Sequence, residues 1–102
     1  DRARTYIDSG ADIIFAEALT DLDQYKTFTD SLNAPVLANL TEFGLTPLFT
    51  VEEMRDVGVK IILYPLSAAR SMADAAMKTY KAIKQDGTQK KHIENGSHLS
   101  LY

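Results

Sequence analysis

Three short apolar runs punctuate the chain at near-regular intervals: Ile13-Ile14-Phe15, Val36-Leu37-Ala38 and Ile61-Ile62-Leu63-Tyr64. Each is continuous rather than alternating and rich in β-branched side chains, the pattern of a parallel strand buried on both faces. Between them the apolar spacing becomes helical. Leu22, Tyr25, Phe28 and Leu32 share one helical face after Thr20, a candidate N-cap. Thr50 followed by Glu53 makes a capping box ahead of Met54 and Val57. A longer helix from Ser67 to Gln85 aligns Met72, Ala73, Ala76, Met77, Tyr80 and Ile83, with both methionines read as core filling. Gly87 is its stop signal, and Ala3, Tyr6 and Ile7 fit the end of an earlier helix.

Each strand follows at once on a helix-ending signal: Ser9-Gly10-Ala11-Asp12, Asn33-Ala34-Pro35 and Val57-Gly58-Val59-Lys60. The order αβαβαβα is a row of crossover units, an α/β arrangement of about three parallel strands and four helices. A complete (β/α)8 barrel of the TIM type takes roughly 250 residues, so this is rather less than half of one. Residues 1–91 form the partial barrel and 92–102 an irregular tail. Two strand edges are left unpaired, a poor free-standing design.

Composition narrows the classes further. At 102 residues, 45% hydrophobic and 25% charged, the chain is at most one modest globular domain. No apolar run approaches the roughly 20 residues needed to span a bilayer. A net charge of −3 argues against nucleic acid as a partner. Lys78, Lys81, Lys84, Lys90 and Lys91 read as a solvated helix face and tail. The absence of cysteine removes thiol catalysis, disulfides and thiolate metal ligation. Neither an initiator Met nor a signal-peptide pattern opens the sequence, so it reads as a cytoplasmic piece of something longer.

In βα folds the reactive groups sit at the C-terminal ends of the strands. Those ends carry Glu17, then Asn39 and Thr41, then Pro65 to Arg70. The segment Ala38 to Thr50 is the densest in polar groups for a loop leaving a strand. Asn39 and Thr41 suit a substrate carboxylate, because amide and hydroxyl donors bind an oxyanion without adding charge. They suit local Asx and Ser/Thr turns equally well. Glu17 suits a metal-bound water or substrate hydroxyl, or a plain helix-capping role. Arg70, near a helix start, opposes the helix dipole, a small cost that a bound anion would offset. His92 and His98 lack acidic neighbours at metal-ligand spacing. No GxGxxG, P-loop or GxSxG motif is present.

Phe15-Ala16-Glu17-Ala18, then Pro35-Val36-Leu37-Ala38-Asn39-Leu40-Thr41-Glu42-Phe43-Gly44, then Thr46-Pro47-Leu48-Phe49-Thr50 carry a family resemblance. Leu63-Tyr64-Pro65-Leu66-Ser67-Ala68 with Arg70, and Asp86-Gly87-Thr88-Gln89-Lys90, continue it in order across residues 1–91. The chain resembles the 2-methylisocitrate lyases of the isocitrate lyase and phosphoenolpyruvate mutase superfamily. The Thr-Glu-Phe-Gly form of the loop favours them over oxaloacetate decarboxylases.

This resemblance implies the C-terminal portion of a TIM-type barrel. It also implies Mg²⁺-dependent cleavage of 2-methylisocitrate to pyruvate and succinate, in the methylcitrate cycle of propionate catabolism. In that chemistry a base takes the hydroxyl proton, the C–C bond breaks, and Mg²⁺ stabilises charge on the pyruvate-like fragment. Glu17 is then one of the carboxylates around the metal. Asn39, Thr41 and the backbone at Leu40 hold substrate carboxylate, and Arg70 binds the other end. A small di- or tricarboxylate substrate is implied, and a homo-oligomer in which Ser67–Gln85 packs on a neighbouring subunit. The family's Ser-Gly-Gly loop, paired metal aspartates and Lys-Lys-Cys-Gly-His loop have no counterpart in the sequence. The catalytic groups and main metal ligands are therefore expected outside it, and the isolated chain is expected to be inactive. Where the family carries Gln-Thr-Arg, this sequence reads Ser97-His98-Leu99. Two readings stay open beside this one: another 2-oxo acid, of the oxaloacetate or phosphonopyruvate type, and a non-catalytic half-barrel assembly module.

Overall fold

The computed structural model describes residues 2–96. It contains α1 (Arg2–Asp8), β1 (Ile14–Ala16), α2 (Leu22–Asp30), β2 (Val36–Asn39), α3 (Val51–Asp56), β3 (Ile61–Leu63), α4 (Ser67–Asp86) and α5 (Lys90–Glu94). The strands form one parallel sheet in the order β1-β2-β3, with Ile14 opposite Val36 and Leu37 opposite Ile61. The expected α/β class and parallel sheet are therefore present. The strand limits follow local chemistry. Opposite Ile13 lies Pro35, which has no N–H to donate, and the ladder begins one residue later than the apolar run. Pro65 has no N–H to donate to a ladder, and β3 stops at Leu63, two residues before it.

The chain divides into two compact units, Asp1–Pro65 and Leu66–Tyr102. In the first, Ala16, Val36, Ala38 and Leu40 from the sheet side meet Tyr25, Met54, Val57 and Val59 in one core. Leu22, Phe28 and Leu32 of the expected helical face pack around it. Helix α2 starts one residue later than read: Asp21, not Thr20, is the cap, its Oδ1 accepting from the Gln24 amide at 2.8 Å. The Thr50–Glu53 capping box is complete in both directions. Thr29 Oγ1 donates to the Val57 carbonyl at 2.5 Å and ties α2 to the turn after α3. There Gly58 has φ +86°, and a Cβ on it would stand 3.0 Å from that same Oγ1. The turn thus needs glycine for conformation and for space.

The burial expected of the strands is overturned. The strands are not buried on both faces: β1 alternates, with Ile14 and Ala16 buried and Phe15 50% exposed. Ile61 and Leu63 are exposed too. Among the described residues, Phe15, Ile61 and Leu63 share the face opposite the core, which stays uncovered.

The second unit is a long helix and a short one. Helix α4 ends at Gly87, in the left-handed conformation, as its sequence predicts. None of its residues is buried, so Met72 and Met77 fill no core among the described residues; their apolar stripe is exposed. A fifth helix, α5, spans the boundary at which the sequence reading starts an irregular tail. His92 Nε2 lies 3.1 Å from Thr79 Oγ1 of α4. The same hydroxyl lies 3.0 Å from the Ala75 carbonyl, to which it donates. This long-range contact gives α5 a reason to form that local periodicity does not carry. Ser97, His98 and Leu99 lie outside the described residues. No helix among the described residues is long and apolar enough to cross a membrane.

Candidate functional site

Strands β1 and β2 run side by side, and Ala16 stands opposite Ala38. The next residue of each is Glu17 and Asn39, which the register carries to the same rim. There Asn39 Nδ2 donates to Glu17 Oε2 at 3.1 Å. The structure thus joins two of the sequence-identified residues directly. Asn39 Oδ1 is buried and has no hydrogen-bond partner. One end of the amide is committed to the carboxylate, and the other is an acceptor suited to a donor such as a substrate hydroxyl or water.

Leu40 follows Asn39 directly after β2. Its side chain is in the core and its amide donates to the Leu63 carbonyl at 2.9 Å, so that N–H extends the sheet. Thr41 begins the loop. Its carbonyl accepts from the Gly44 amide at 3.2 Å, closing a tight turn with Phe43 84% exposed beside Glu42 at its tip.

Sequence reasoning missed the hydroxyl of Tyr25. The residue is read there as a core position, and its ring is indeed 0% exposed, edge-on to Phe49 at 6.3 Å between centroids. Its hydroxyl, however, is buried without a hydrogen-bond partner. Burial pushes the phenol above its usual 10.0. The side chain of Thr46, itself buried, lies beside it and acts in the lowering direction without reaching hydrogen-bonding geometry, while the Glu17 carboxylate raises it further. The signal available in the sequence was a tyrosine, not phenylalanine, at the centre of an apolar helix face.

Arg70 belongs to the second unit, on the first turn of α4, where its amide donates to the Leu66 carbonyl at 2.8 Å. Glu17, Asn39 and Thr41 belong to the first unit. Among the described residues no three His, Cys, Asp or Glu side chains gather closely enough to hold a metal ion. Glu17 therefore belongs to no such group of three among the described residues.

A family model described as phosphoenolpyruvate phosphomutase matches residues 1–84. The 2-methylisocitrate lyase of Salmonella typhimurium is 53% identical over 94 residues, which is 92% of this chain and 32% of that enzyme. The Escherichia coli 2-methylisocitrate lyase is 49% identical over the same shares. The chain spans about a third of the length of these curated relatives and matches their C-terminal third. Among solved structures, that of 2,3-dimethylmalate lyase, a PEP mutase/isocitrate lyase superfamily member, aligns with a TM-score of 0.79 at 30% identity. It covers 86% of this chain and 31% of that one. Oxaloacetate acetylhydrolase aligns with a TM-score of 0.81 at 28% identity, covering 86% and 31%. The three-stranded parallel sheet is accordingly a portion of the TIM-type barrel of these enzymes. On the strength of a family pattern running through both strand ends that meet at Asn39 and Glu17, this chain belongs to the phosphoenolpyruvate phosphomutase family.

Proposed function

We propose that the chain is the substrate-carboxylate-binding portion of a carbon–carbon lyase that cleaves 2-methylisocitrate to pyruvate and succinate. The observation that carries this reading is the Asn39–Glu17 hydrogen bond at the rim, within a sequence 53% identical to a 2-methylisocitrate lyase. A carboxylate that fixes one end of an amide leaves the other end preset for substrate, which lowers the entropic cost of binding. In this proposal the second Nδ2 hydrogen of Asn39 and the Thr41 hydroxyl donate to substrate carboxylate, Asn39 Oδ1 accepts from a substrate hydroxyl, and Arg70 neutralises the far carboxylate. Leu40 drops out as an amide donor, because its N–H is engaged by Leu63.

Mg²⁺ belongs to this proposal as the group that would stabilise charge on the departing fragment. The described residues alone do not make its site, since no three His, Cys, Asp or Glu side chains gather among them. The main ligands and the base would come from outside the chain. The reading also places the protein in the cytoplasm, in propionate catabolism through the methylcitrate cycle. It makes the exposed apolar stripe of Ser67–Gln85 a contact between subunits.

The test is steady-state turnover by the intact protein. Pyruvate and succinate should appear from 2-methylisocitrate with Mg²⁺, and Asn39→Ala should raise KM and lower kcat/KM by roughly 10–100-fold. The solved relatives favour a second reading, the same rim serving 2,3-dimethylmalate or oxaloacetate. A kcat/KM higher on either of those, or on phosphonopyruvate, would establish that reading instead.

A further inference from the structure

Strand β1 alternates its faces: Ile14 and Ala16 are buried, while Phe15 points the other way. Glu17 continues the Phe15 parity, on the side from which it reaches Asn39. An extended chain would next send Ala18 to the core side and Leu19 back beside Glu17. Instead Leu19 packs against the core. The reversal happens at Ala18, whose φ is +59°, a left-handed conformation that side chains with a Cβ rarely adopt. The other such non-glycine residue among those described is Leu66, φ +63°, which also follows the end of a strand. Strain of this kind persists only where the surroundings over-determine it. Here Leu19, packed against the core, fixes one side of Ala18 and the Glu17–Asn39 bond fixes the other.

We propose that Ala18 is a positioning residue for the site, its left-handed backbone holding Glu17 on Asn39 before any ligand arrives. This rests on the reading of that pair as substrate-binding. Glycine would adopt the same φ without strain but would also release it, so the carboxylate would sample other directions. A Cβ narrows the choice. Asparagine tolerates the left-handed conformation and should keep the geometry, whereas β-branched valine should not.

The experiment compares Ala18→Gly, Ala18→Asn and Ala18→Val in the intact protein, with Glu17→Gln as the reference for a weakened pair. One readout is the Asn39 side-chain amide signal and its hydrogen-exchange protection, followed with isotope-labelled asparagine. The other is KM against kcat on 2-methylisocitrate. Ala18→Val should lose the protection and raise KM about tenfold, in line with the cost of small misplacements. Ala18→Gly, folded as judged by circular dichroism, should lose protection about threefold, and Ala18→Asn should stay within about twofold of the parent. Should Ala18→Val not fold, the glycine and asparagine pair carries the test. Unchanged protection in Ala18→Gly, with Glu17→Gln reducing it, would overturn the proposal. If protection falls as stated but KM is indifferent even to Glu17→Gln, Ala18 keeps its positioning role and the substrate-binding reading fails.

Discussion

Asn39→Asp is the sharpest test of the rim, because it changes one polar atom of the side chain and reverses the sign of an interaction. In the parent, Asn39 Nδ2 donates to Glu17 Oε2 at 3.1 Å. A carboxylate oxygen in its place faces a second carboxylate at the same separation. Coulomb's law gives about 5 kcal/mol of repulsion at an effective dielectric constant near 20, and about 1 kcal/mol in bulk water. Glu17 is exposed, so a value of about 1–3 kcal/mol is expected, beside the roughly 1 kcal/mol of the lost hydrogen bond. Repulsion raises the pair's upper pKa above the ordinary carboxylate range of about 4. With a folded-state pKa above the unfolded one, the variant's stability is intact while both groups are protonated and declines as pH rises through that folded value. The assay is the urea midpoint at pH 4 and pH 7 for the parent, Asn39→Asp and Asn39→Leu. The leucine variant loses the bond without adding charge, so its deficit should be the same at both pH values. If the aspartate variant's deficit also fails to grow between them, the two side chains do not face each other and the reasoning is refuted.

Three further outcomes follow from other parts of the first unit. Tyr25→Phe removes a buried hydroxyl that has no partner, so stability near pH 8 should stay within about 1 kcal/mol of the parent or rise. The raised phenol pKa means the parent loses stability only as pH climbs above the unfolded value near 10; denaturant midpoints across that range should fall for the parent and stay level for Tyr25→Phe. Gly44→Ala places a Cβ 2.7 Å from the Thr41 methyl, so Thr41 must turn. Ligand affinity by calorimetry should drop with a stability loss of about 1–3 kcal/mol, and adding Thr41→Ser should restore most of both. Thr50→Ala breaks the capping box and should cost about 1 kcal/mol in thermal or urea unfolding; a loss below a few tenths would mean the cap is idle.

The sequence carried the elements well wherever the signal was local. The Thr50–Glu53 box, the Gly87 stop and the face of Leu22, Tyr25, Phe28 and Leu32 are short-range patterns, and each is present in the structure. Long-range facts were out of reach. Whether an apolar run is covered on one face or two depends on which helices reach it, so Phe15 looked the same as Ile14 until the fold was known. The fifth helix depends on His92 meeting Thr79, thirteen residues away. At the rim, strand-end placement singled out Glu17 and Asn39, and the register made them partners. Nothing in the periodicity marks Ala18, because a left-handed alanine leaves no compositional trace.

The alternation of β1 makes neighbouring residues report on separate events. Ile14 and Ala16 belong to the interior that this segment completes by itself, so truncating them weakens its own cohesion. Phe15, one position along, lies on the other, exposed face, so its truncation should leave that interior intact. Three consecutive residues thus separate the cohesion of the first unit from the properties of its exposed face.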